Sequence, residues 1–286
     1  MVTQTDIGVR FAEKTDLPQL TNMLHFETYV HRHLDWRPPL EWLGHSPFLI
    51  LEDSGKITAA LACPPDPPGV AWIRMFATTG TLTSAEAWKM FWPKINDYFA
   101  DDENISVAAI PIQKWFEQLL INQGFTQSHD VVMMVCNSLA KDIPAAQNNV
   151  LLRPMTAEDL ETVAKVDSSA FDRLWHNSFD SLQLAFSQAA LATVAELDSK
   201  IVGYQISTPS PSGIHLARLA VLPETQGNGI GYAIVSNLLS DFGKNGGESV
   251  SVNTQHDNSA SLALYQKAGF KPTGESYPIF QYKLNE

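Results

Sequence analysis

Cysteines and long apolar runs are both scarce in this sequence. Its 286 residues contain two cysteines, Cys63 and Cys136, and their separation fits neither a disulfide framework nor a zinc site. No apolar run approaches the roughly 20 residues that span a bilayer, and the first residues do not read as an export signal. We therefore expect a cytoplasmic protein with no metal centre and no membrane segment.

Basic residues are also few, and they are scattered along the chain. Lys and Arg number 19 against 31 Asp and Glu, which gives a formal net charge of −12. Nucleic-acid binding normally needs a clustered basic face, so we expect no nucleic-acid partner. The acidity is compatible with an amine-bearing small partner, although solubility explains it equally well.

The chain is long enough for two domains, and its two halves repeat the same landmarks. The repeated pairs are separated by 143 to 145 residues and comprise Asp16 and Asp159, Glu52 and Glu196, Gly69 and Gly213, and Gly124 and Gly269. A repeat of this size indicates two copies of one domain rather than a solenoid of small units. We place the copies at residues 1–142 and 150–286, with the polar, proline-containing segment 142–149 between them.

Strand and helix patterns alternate within each half. This alternation predicts an α/β architecture, in which helices cover the faces of a sheet. In the first half we expect a helix that begins at a cap near Asp16 and runs to about Tyr29. We also expect a single apolar strand from Gly69 to Thr78.

A glycine-rich turn lies between a strand and a helix of the second half, where residues 216–232 read LARLAVLPETQGNGIGY. Glycines let the backbone approach a ligand closely, and the unpaired N–H groups of a helix start suit a phosphate. The stretch has no Gly-Lys-Ser/Thr ending and misses the G-x-G-x-x-G spacing, so neither a Walker loop nor a dinucleotide site is indicated. A tight turn without a ligand is the alternative.

A second motif follows about 27 residues further on, where residues 258–270 read NSASLALYQKAGF. Together with the Gln-x-x-Gly-x-Gly turn, it resembles the acetyl-CoA signature of the GCN5-related N-acetyltransferases, the GNAT superfamily. The whole chain resembles a tandem GNAT arrangement. The resemblance implies that each half forms a mixed, mostly antiparallel sheet, with splayed central parallel strands and flanking helices.

The resemblance also implies transfer of an acetyl group from acetyl-CoA to a primary amine. The residues implied for acetyl-CoA are Leu219, Ala220 and Val221 along the pantetheine arm, Gln226, Gly227, Asn228, Gly229, Ile230, Gly231 and Tyr232 around the pyrophosphate, and Asn258 and Tyr265. By analogy, Tyr265 would protonate the departing thiolate. A phenol suits this role because its pKa of about 10 keeps it protonated at neutral pH.

The residue that accepts the amine proton stays open. Many members of the family carry a glutamate eleven residues before the motif glutamine, and here that position is His215. A histidine pKa of about 6.5 suits a base at neutral pH, although a partly solvated histidine at a strand edge is an equal alternative. Another family position holds Asn253, which cannot act as a base, and Glu224 is more simply a residue of the turn.

Phe171, Trp175 and His176 cluster in the segment that shapes the acceptor pocket in this family. An aromatic cluster with polar neighbours suits a small-molecule pocket, and packing between the two domains is the alternative. In the first half, His25, His31 and His33 have no accompanying carboxylate or cysteine pattern. We interpret them as helix-surface histidines.

The first half lacks the cofactor signature at the aligned positions. Leu82, Ala85 and Ala87 stand opposite Gln226, Gly229 and Gly231, and Leu120 stands opposite Tyr265. Ser84 could cap a helix there, and Glu86 would place negative charge in its first turn, where a pyrophosphate would have to sit. We therefore predict a degenerate first copy.

The sequence thus predicts an acetyl-CoA-dependent N-acetyltransferase with one active site, in the second half, and a small-molecule amine as acceptor. A protein N-terminal or lysine acetyltransferase is one alternative. A non-catalytic acyl-CoA-binding sensor is another. The acceptor, the acyl-chain preference and the oligomeric state do not follow from the sequence.

Overall fold

The structure is a computed structural model that describes residues 7–102, 104–137 and 150–284. The chain forms two compact units. One comprises Met1–Ser128 with Pro278–Glu286, and the other comprises His129–Tyr277. The segment 142–149, which we expect to separate the two copies, lies outside the described residues.

The first unit contains an antiparallel sheet in the order β1-β3-β4-β6-β2 and a separate parallel pair, β5 with β7. Its strands are β1 (Ile7–Phe11), β2 (Tyr29–Arg32), β3 (Phe48–Asp53), β4 (Lys56–Ala62), β5 (Val70–Trp72), β6 (Met75–Thr78) and β7 (Ser106–Ala109). Its helices are α1 (Leu17–Phe26), α2 (Ser84–Tyr98) and α3 (Lys114–Asn122). Strand β8 (Thr126–Cys136) begins in this unit and continues into the second.

In the second unit, the strands lie in the order β8-β13-β12-β11-β10-β9, and all neighbours are antiparallel except β12 and β13. These strands are β9 (Leu151–Pro154), β10 (Leu191–Leu197), β11 (Lys200–Ser210), β12 (Gly213–Val221) and β13 (Val250–Gln255). The helices are α4 (Leu160–Ala170), α5 (Phe179–Ser187), α6 (Ile230–Lys244) and α7 (Ser259–Lys267), and β14 (Lys271–Lys283) follows them. The predicted α/β class is confirmed, and no helix among the described residues has the length and apolar character to cross a membrane.

The parallel strands of the second unit pair over three residues only. Ile214, His215 and Leu216 of β12 lie opposite residues 250–252 of β13, and the two strands then separate. The first unit repeats this register, because residues 70–72 of β5 lie opposite residues 106–108 of β7, each 144 positions earlier. The predicted splay is therefore confirmed, and it is present in both units.

Each unit contains a strand segment that comes from the other half of the sequence. Residues 131–136 of β8 close the second unit by pairing with β13. Residues 280–283 of β14 pair with β7 in the first unit. The compact units therefore differ from a simple division of the sequence into halves.

Three of the four repeated landmarks have a clear structural cause. Arg10 forms ion pairs with Asp16 at 2.8 Å and with Glu52 at 2.7 Å. Arg153 forms the equivalent pairs with Asp159 and Glu196, each at 2.7 Å. The glycine pair Gly124 and Gly269 follows a helix in each unit, with positive φ values of 84° and 96°, a conformation that favours glycine.

Two predicted elements of the first half need correction. Helix α1 ends at Phe26 because Glu27 is already extended, and Tyr29 begins strand β2. The expected strand from Gly69 to Thr78 is two strands. At the break, the N–H of Ile73 donates to Ala108 while that of Arg74 donates to Ala62, so the chain changes partner there.

The helices bury one apolar face against the sheets. In α6, Ile230, Ile234 and Leu238 recur every four residues and are all buried, which is the spacing of one helical face. In the first unit, Trp88 of α2 and Phe116 of α3 are fully buried in one core cluster.

His31 and His33 are not helix-surface residues, and only His25 lies on a helix. His31 belongs to β2 and is 0% exposed. Its Nε2 lies 3.1 Å from the carbonyl oxygen of Ile73, and its ring stacks on Phe116 at 4.0 Å. Burial lowers the pKa of His31 to about 3, so this histidine is neutral at physiological pH.

We predict that His31→Phe makes the stability of the protein less sensitive to acid. The unfolded chain takes up a proton at this histidine near pH 6.5, whereas the folded chain does so near pH 3, so stability falls as the pH drops between these values. One proton corresponds to about 2 kcal/mol between pH 6.5 and 5, and His31→Phe should remove about that much of the pH dependence.

Urea unfolding at pH 6.5 and 5 measures this effect. Tryptophan fluorescence reports chiefly on the first unit, because six of the seven tryptophans lie between residues 36 and 115. His25→Gln, which removes an exposed histidine, is the control. An unchanged pH dependence in His31→Phe would show that this buried ring is not the acid-sensitive group.

Candidate active site

The turn between β12 and α6 is held in a conformation that needs glycine. Gly227 and Gly229 have φ values of 79° and 76°, in the left-handed region that other residues rarely adopt. The side chain of Gln226 donates to the carbonyl oxygen of Val221 at 2.9 Å, and that of Asn228 donates to Thr225 at 3.1 Å. Both amides therefore close the turn through its own backbone.

The backbone N–H groups that begin α6 are left available. Gly229 is the N-cap and provides no side-chain hydrogen bond, and the first helical bond runs from Ala233 to Gly229 at 3.0 Å. Within the described part of the chain, no acceptor is hydrogen-bonded to the N–H groups of residues 227–232. Such a row of free donors at a helix start is a site for an anion.

Gly231 has a different use from the other two glycines. A Cβ built there would lie 2.8 Å from Cδ1 of Leu264 and 3.8 Å from Val221. Its missing side chain therefore allows α6 to approach α7, the helix that carries Tyr265.

The corresponding helix start in the first unit is filled by its own side chains. The N-cap of α2 is Thr83, not Ser84, and its Oγ1 accepts from the N–H of Glu86 at 3.2 Å. Glu86 in turn accepts from the N–H of Thr83 at 3.0 Å. The Thr83 hydroxyl also donates to this carboxylate at 2.6 Å. The bonds from the Thr83 hydroxyl and the Thr83 N–H lower the pKa of Glu86, so a carboxylate occupies the position that an anionic ligand would need.

One edge of β12 is open beyond its short pairing with β13. Leu219, Ala220 and Val221 pair with β11 on one side. On the other side, no strand of the described residues pairs with β12 after Leu216. The main chain at these three predicted residues can therefore accept an extended partner, as a strand edge does.

Tyr265 lies on α7, and Asn258 caps the same helix. The Tyr265 ring is 5% exposed and packs against Phe270. Burial raises the pKa of Tyr265, and the positive charge of Arg218 opposes that effect, so the hydroxyl keeps its proton at neutral pH. Asn258 accepts from the N–H of Ser261 at 3.0 Å through Oδ1, which leaves its NH₂ group as the available donor.

His215 is held beside Ser251 by the short parallel pairing. The two residues are register partners, and His215 Nδ1 lies 2.9 Å from Ser251 Oγ. Burial lowers the pKa of His215, so its imidazole is neutral at pH 7. Asn253 is exposed on β13, and Glu224 is exposed in the turn after β12.

The sequence did not predict a buried ion pair that contacts the predicted acceptor segment, residues 171–177. Asp167 of α4 is 0% exposed and receives Arg218 Nε at 2.6 Å and Nη2 at 2.9 Å. The Tyr204 hydroxyl also donates to Asp167. An aspartate on the apolar face of α4 was the signal that could have revealed this cluster, because an acidic residue is rarely buried without a partner.

Of the predicted acceptor residues, Phe171 and Trp175 contact this ion pair. The Arg218 guanidinium sits 3.6 Å from the centroid of the Phe171 ring, and Arg218 donates to the carbonyl oxygen of Trp175 at 2.7 Å. His176 is partly exposed, and its N–H donates to the Asp172 carbonyl at 3.0 Å. Phe171 and Trp175 thus contact the strand that carries the open edge.

Comparison with known proteins shows what this region of the chain is similar to. Residues 158–270 match the acetyltransferase (GNAT) family. That matched range includes the glycine turn, Tyr265, His215 and the Asp167–Arg218 pair.

One relative shares sequence over about half of the chain. The mycothiol acetyltransferase of Saccharomonospora viridis is 25% identical over 170 residues, which are 52% of this chain and 55% of that protein. The chain thus spans little more than half of that relative.

Solved structures resemble the chain over nearly its whole length. A tandem GNAT protein from the clavulanic acid biosynthesis pathway superposes with a TM-score of 0.66 at 14% identity, over 98% of this chain and 99% of that one. A GCN5-related N-acetyltransferase from Sphaerobacter thermophilus gives a TM-score of 0.61 at 13% identity, over 98% and 96%. The chain therefore has the tandem GNAT fold.

Proposed function

We propose that this protein transfers an acetyl group from acetyl-CoA to a primary amine of a small molecule, at one active site in the second unit. The observation that carries the proposal is the row of N–H groups at residues 227–232, which have no hydrogen-bond acceptor among the residues that the structure describes. This row follows the strand β12, whose edge beyond Leu216 pairs with no described strand. A diphosphate and an extended amide-bearing arm are the two parts of acetyl-CoA that such a surface suits. The first unit has a capping box at the equivalent helix start, which supports a single site.

Binding would place the thioester beside the splay. The main chain of residues 219–221 would pair with the pantetheine amides, and the α6 helix start would bind the pyrophosphate. The free NH₂ group of Asn258 would add a donor from α7. Acetyl-CoA supplies the acetyl group as a thioester, and the protein contributes orientation and proton transfer.

Transfer would proceed by direct attack of the neutral amine on the thioester carbonyl. The N–C bond forms, the C–S bond breaks, and the thiolate leaves with the electron pair of that bond. Tyr265 would donate its proton to the thiolate sulfur, a role that its raised pKa permits because the hydroxyl stays protonated until then.

His215 would accept the proton that the amine loses. If Nδ1–H donates to Ser251 Oγ, the Nε2 lone pair is left free for that proton. The lowered pKa keeps the ring neutral, and therefore basic, at physiological pH. Asn253 and Glu224 are less suited, because one cannot take up a proton and the other lies in the exposed turn.

A small-molecule acceptor is supported by the aromatic side chains at the site. Phe171 and Trp175 lie in one segment, and Arg218 of β12 contacts the Phe171 ring and the Trp175 carbonyl oxygen. Aromatic residues gathered in one segment are typical of a small-molecule pocket. The relative from Saccharomonospora viridis is named a mycothiol acetyltransferase. A protein N-terminus or lysine as acceptor is an outcome that the following test can reveal.

An amine screen tests the function directly. Acetyl-CoA with a panel of small amines and N-terminal or lysine peptides should give an acetylated small amine, detected by mass spectrometry. Tyr265→Phe should lower kcat by about 100-fold or more, within the range of general acid catalysis, with little change in acetyl-CoA affinity. Acetyl-CoA binding without any acetylated product would favour a sensor instead.

We predict that Tyr232→Glu weakens the binding of acetyl-CoA. Tyr232 is the third residue of α6, as Glu86 is of α2, so the substitution gives α6 the acidic first turn of the first unit. Repulsion of the pyrophosphate should weaken binding at least about 10-fold.

Calorimetry measures both the affinity and the stoichiometry. Tyr232→Gln is the matched neutral control, because it also removes the ring that lies 4.5 Å from Lys267 Nζ. We expect one acetyl-CoA per chain in the unmodified protein and near-normal binding in the Gln variant. Equal losses in both variants would point to the lost ring rather than to charge.

We predict that His215→Gln lowers kcat by about 100-fold and changes its pH dependence. Because the pKa of His215 is lowered, the unmodified enzyme should lose activity only below about pH 6.5, as the imidazole becomes protonated. That acidic decline should vanish in the Gln variant. Ser251→Ala, which keeps the imidazole, should reduce kcat less, and an acidic decline that survives in His215→Gln would rule out this base.

A further inference from the structure

The Asp167 carboxylate is fully buried and accepts four hydrogen bonds. Besides the two bonds from Arg218 and the one from Tyr204, its Oδ1 accepts from the backbone N–H of Asn177 at 2.7 Å. Asn177 ends the acceptor segment, 10 residues after Asp167. One buried carboxylate thus ties helix α4, strand β11, strand β12 and the segment together.

Arg218 makes the second half of this connection. Its Nη2 bonds both Asp167 and the carbonyl oxygen of Trp175, and its plane covers the Phe171 ring at 3.6 Å. Arg218 directly precedes Leu219, whose main chain lies at the open edge of β12. Arg218 therefore holds the acceptor segment next to the residue, Leu219, at which the proposed pantetheine binding begins.

The same helix carries a second arginine–aspartate pair that lacks this connection. At its start, Arg153 holds Asp159 with bonds of 2.7 and 2.8 Å. The Arg153 side chain is 32% exposed, compared with 12% for Arg218. Arg153 bonds Glu196 and the carbonyl of Pro154 as well, so it joins strands and not the acceptor segment. It provides a matched control for loss of a bidentate ion pair.

We propose that Arg218 is a positioning residue, which fixes the acceptor segment 171–177 against the cofactor strand so that the amine is presented to the thioester. This proposal rests on the proposed function. The Arg218 guanidinium already contacts Asp167, the Trp175 carbonyl and the Phe171 ring, so it does not contact the amine itself in this proposal. Arg218 would act through the segment that it holds, because its fork matches one carboxylate and one carbonyl at once.

Steady-state kinetics with the amine that reacts fastest in the screen tests the proposal. Arg218→Lys keeps the charge but cannot reproduce the forked contacts, and it should raise the KM for the amine at least about 10-fold. The calorimetric Kd for acetyl-CoA should stay within about 2-fold. Arg218→Gln should be more severe in the amine KM, and Arg153→Lys should leave both constants unchanged.

The Tyr204→Phe variant is a further control. It removes a hydrogen bond to Asp167 but keeps the bonds that Arg218 makes to the acceptor segment. Tyr204 itself has no bond to residues 171–177 among the described contacts. We expect an amine KM close to that of the unmodified enzyme. A rise equal to that in Arg218→Lys, or parallel losses in amine and acetyl-CoA binding, would show that the cluster serves stability alone.

Hydrogen exchange gives a readout that does not depend on turnover. Peptides that cover residues 171–178 should exchange faster in Arg218→Lys than in Arg153→Lys. The Trp175 carbonyl loses its Arg218 donor, and Asp167, which accepts from the Asn177 N–H, loses the guanidinium that holds it in place. Unchanged exchange would overturn the proposal even if the screen finds an acceptor. Faster exchange with no acetylated amine would instead count against the proposed function and leave the attachment of the segment intact.

Discussion

The short parallel pairing of β12 with β13 is the constraint on which the proposed active site depends. Three residue pairs hold the strands together and fix the positions of His215 and Ser251. Beyond these pairs, β12 stays paired with β11 and β13 stays paired with β8, so one edge of β12 is unpaired among the described residues. In a sheet this arrangement leaves main-chain groups unsatisfied, and a ligand that supplies donors and acceptors can complete them.

Both units contain this strand separation, yet they treat it differently. In the first unit, His31 bonds the Ile73 carbonyl at the break between β5 and β6, and the capping box of Thr83 and Glu86 satisfies the following helix. In the second unit, Gly229 caps α6 without a side chain. The helix start is thus capped by its own side chains in the first unit and has no side-chain cap in the second.

Features with a local cause could be predicted from the sequence, and features that depend on distant neighbours could not. The repeat was visible because Asp16, Glu52 and their partners Asp159 and Glu196 serve the same ion pairs. The burial of His31 was missed, since its partners Ile73 and Phe116 are remote in sequence. Arg218 was overlooked for the same reason, because Asp167 lies 51 residues away.

The exchanged strands make the two halves of the sequence interdependent during synthesis. In the first unit, the antiparallel partner of β7 among the described residues is the segment 280–283, so this unit cannot complete its sheet until those residues have left the ribosome. A fragment cut within residues 138–149 would leave β7 with an exposed edge and would remove β8 from β13, and uncovered edges of this kind promote aggregation. The degenerate-looking first half is therefore bound to the second by the course of its own folding.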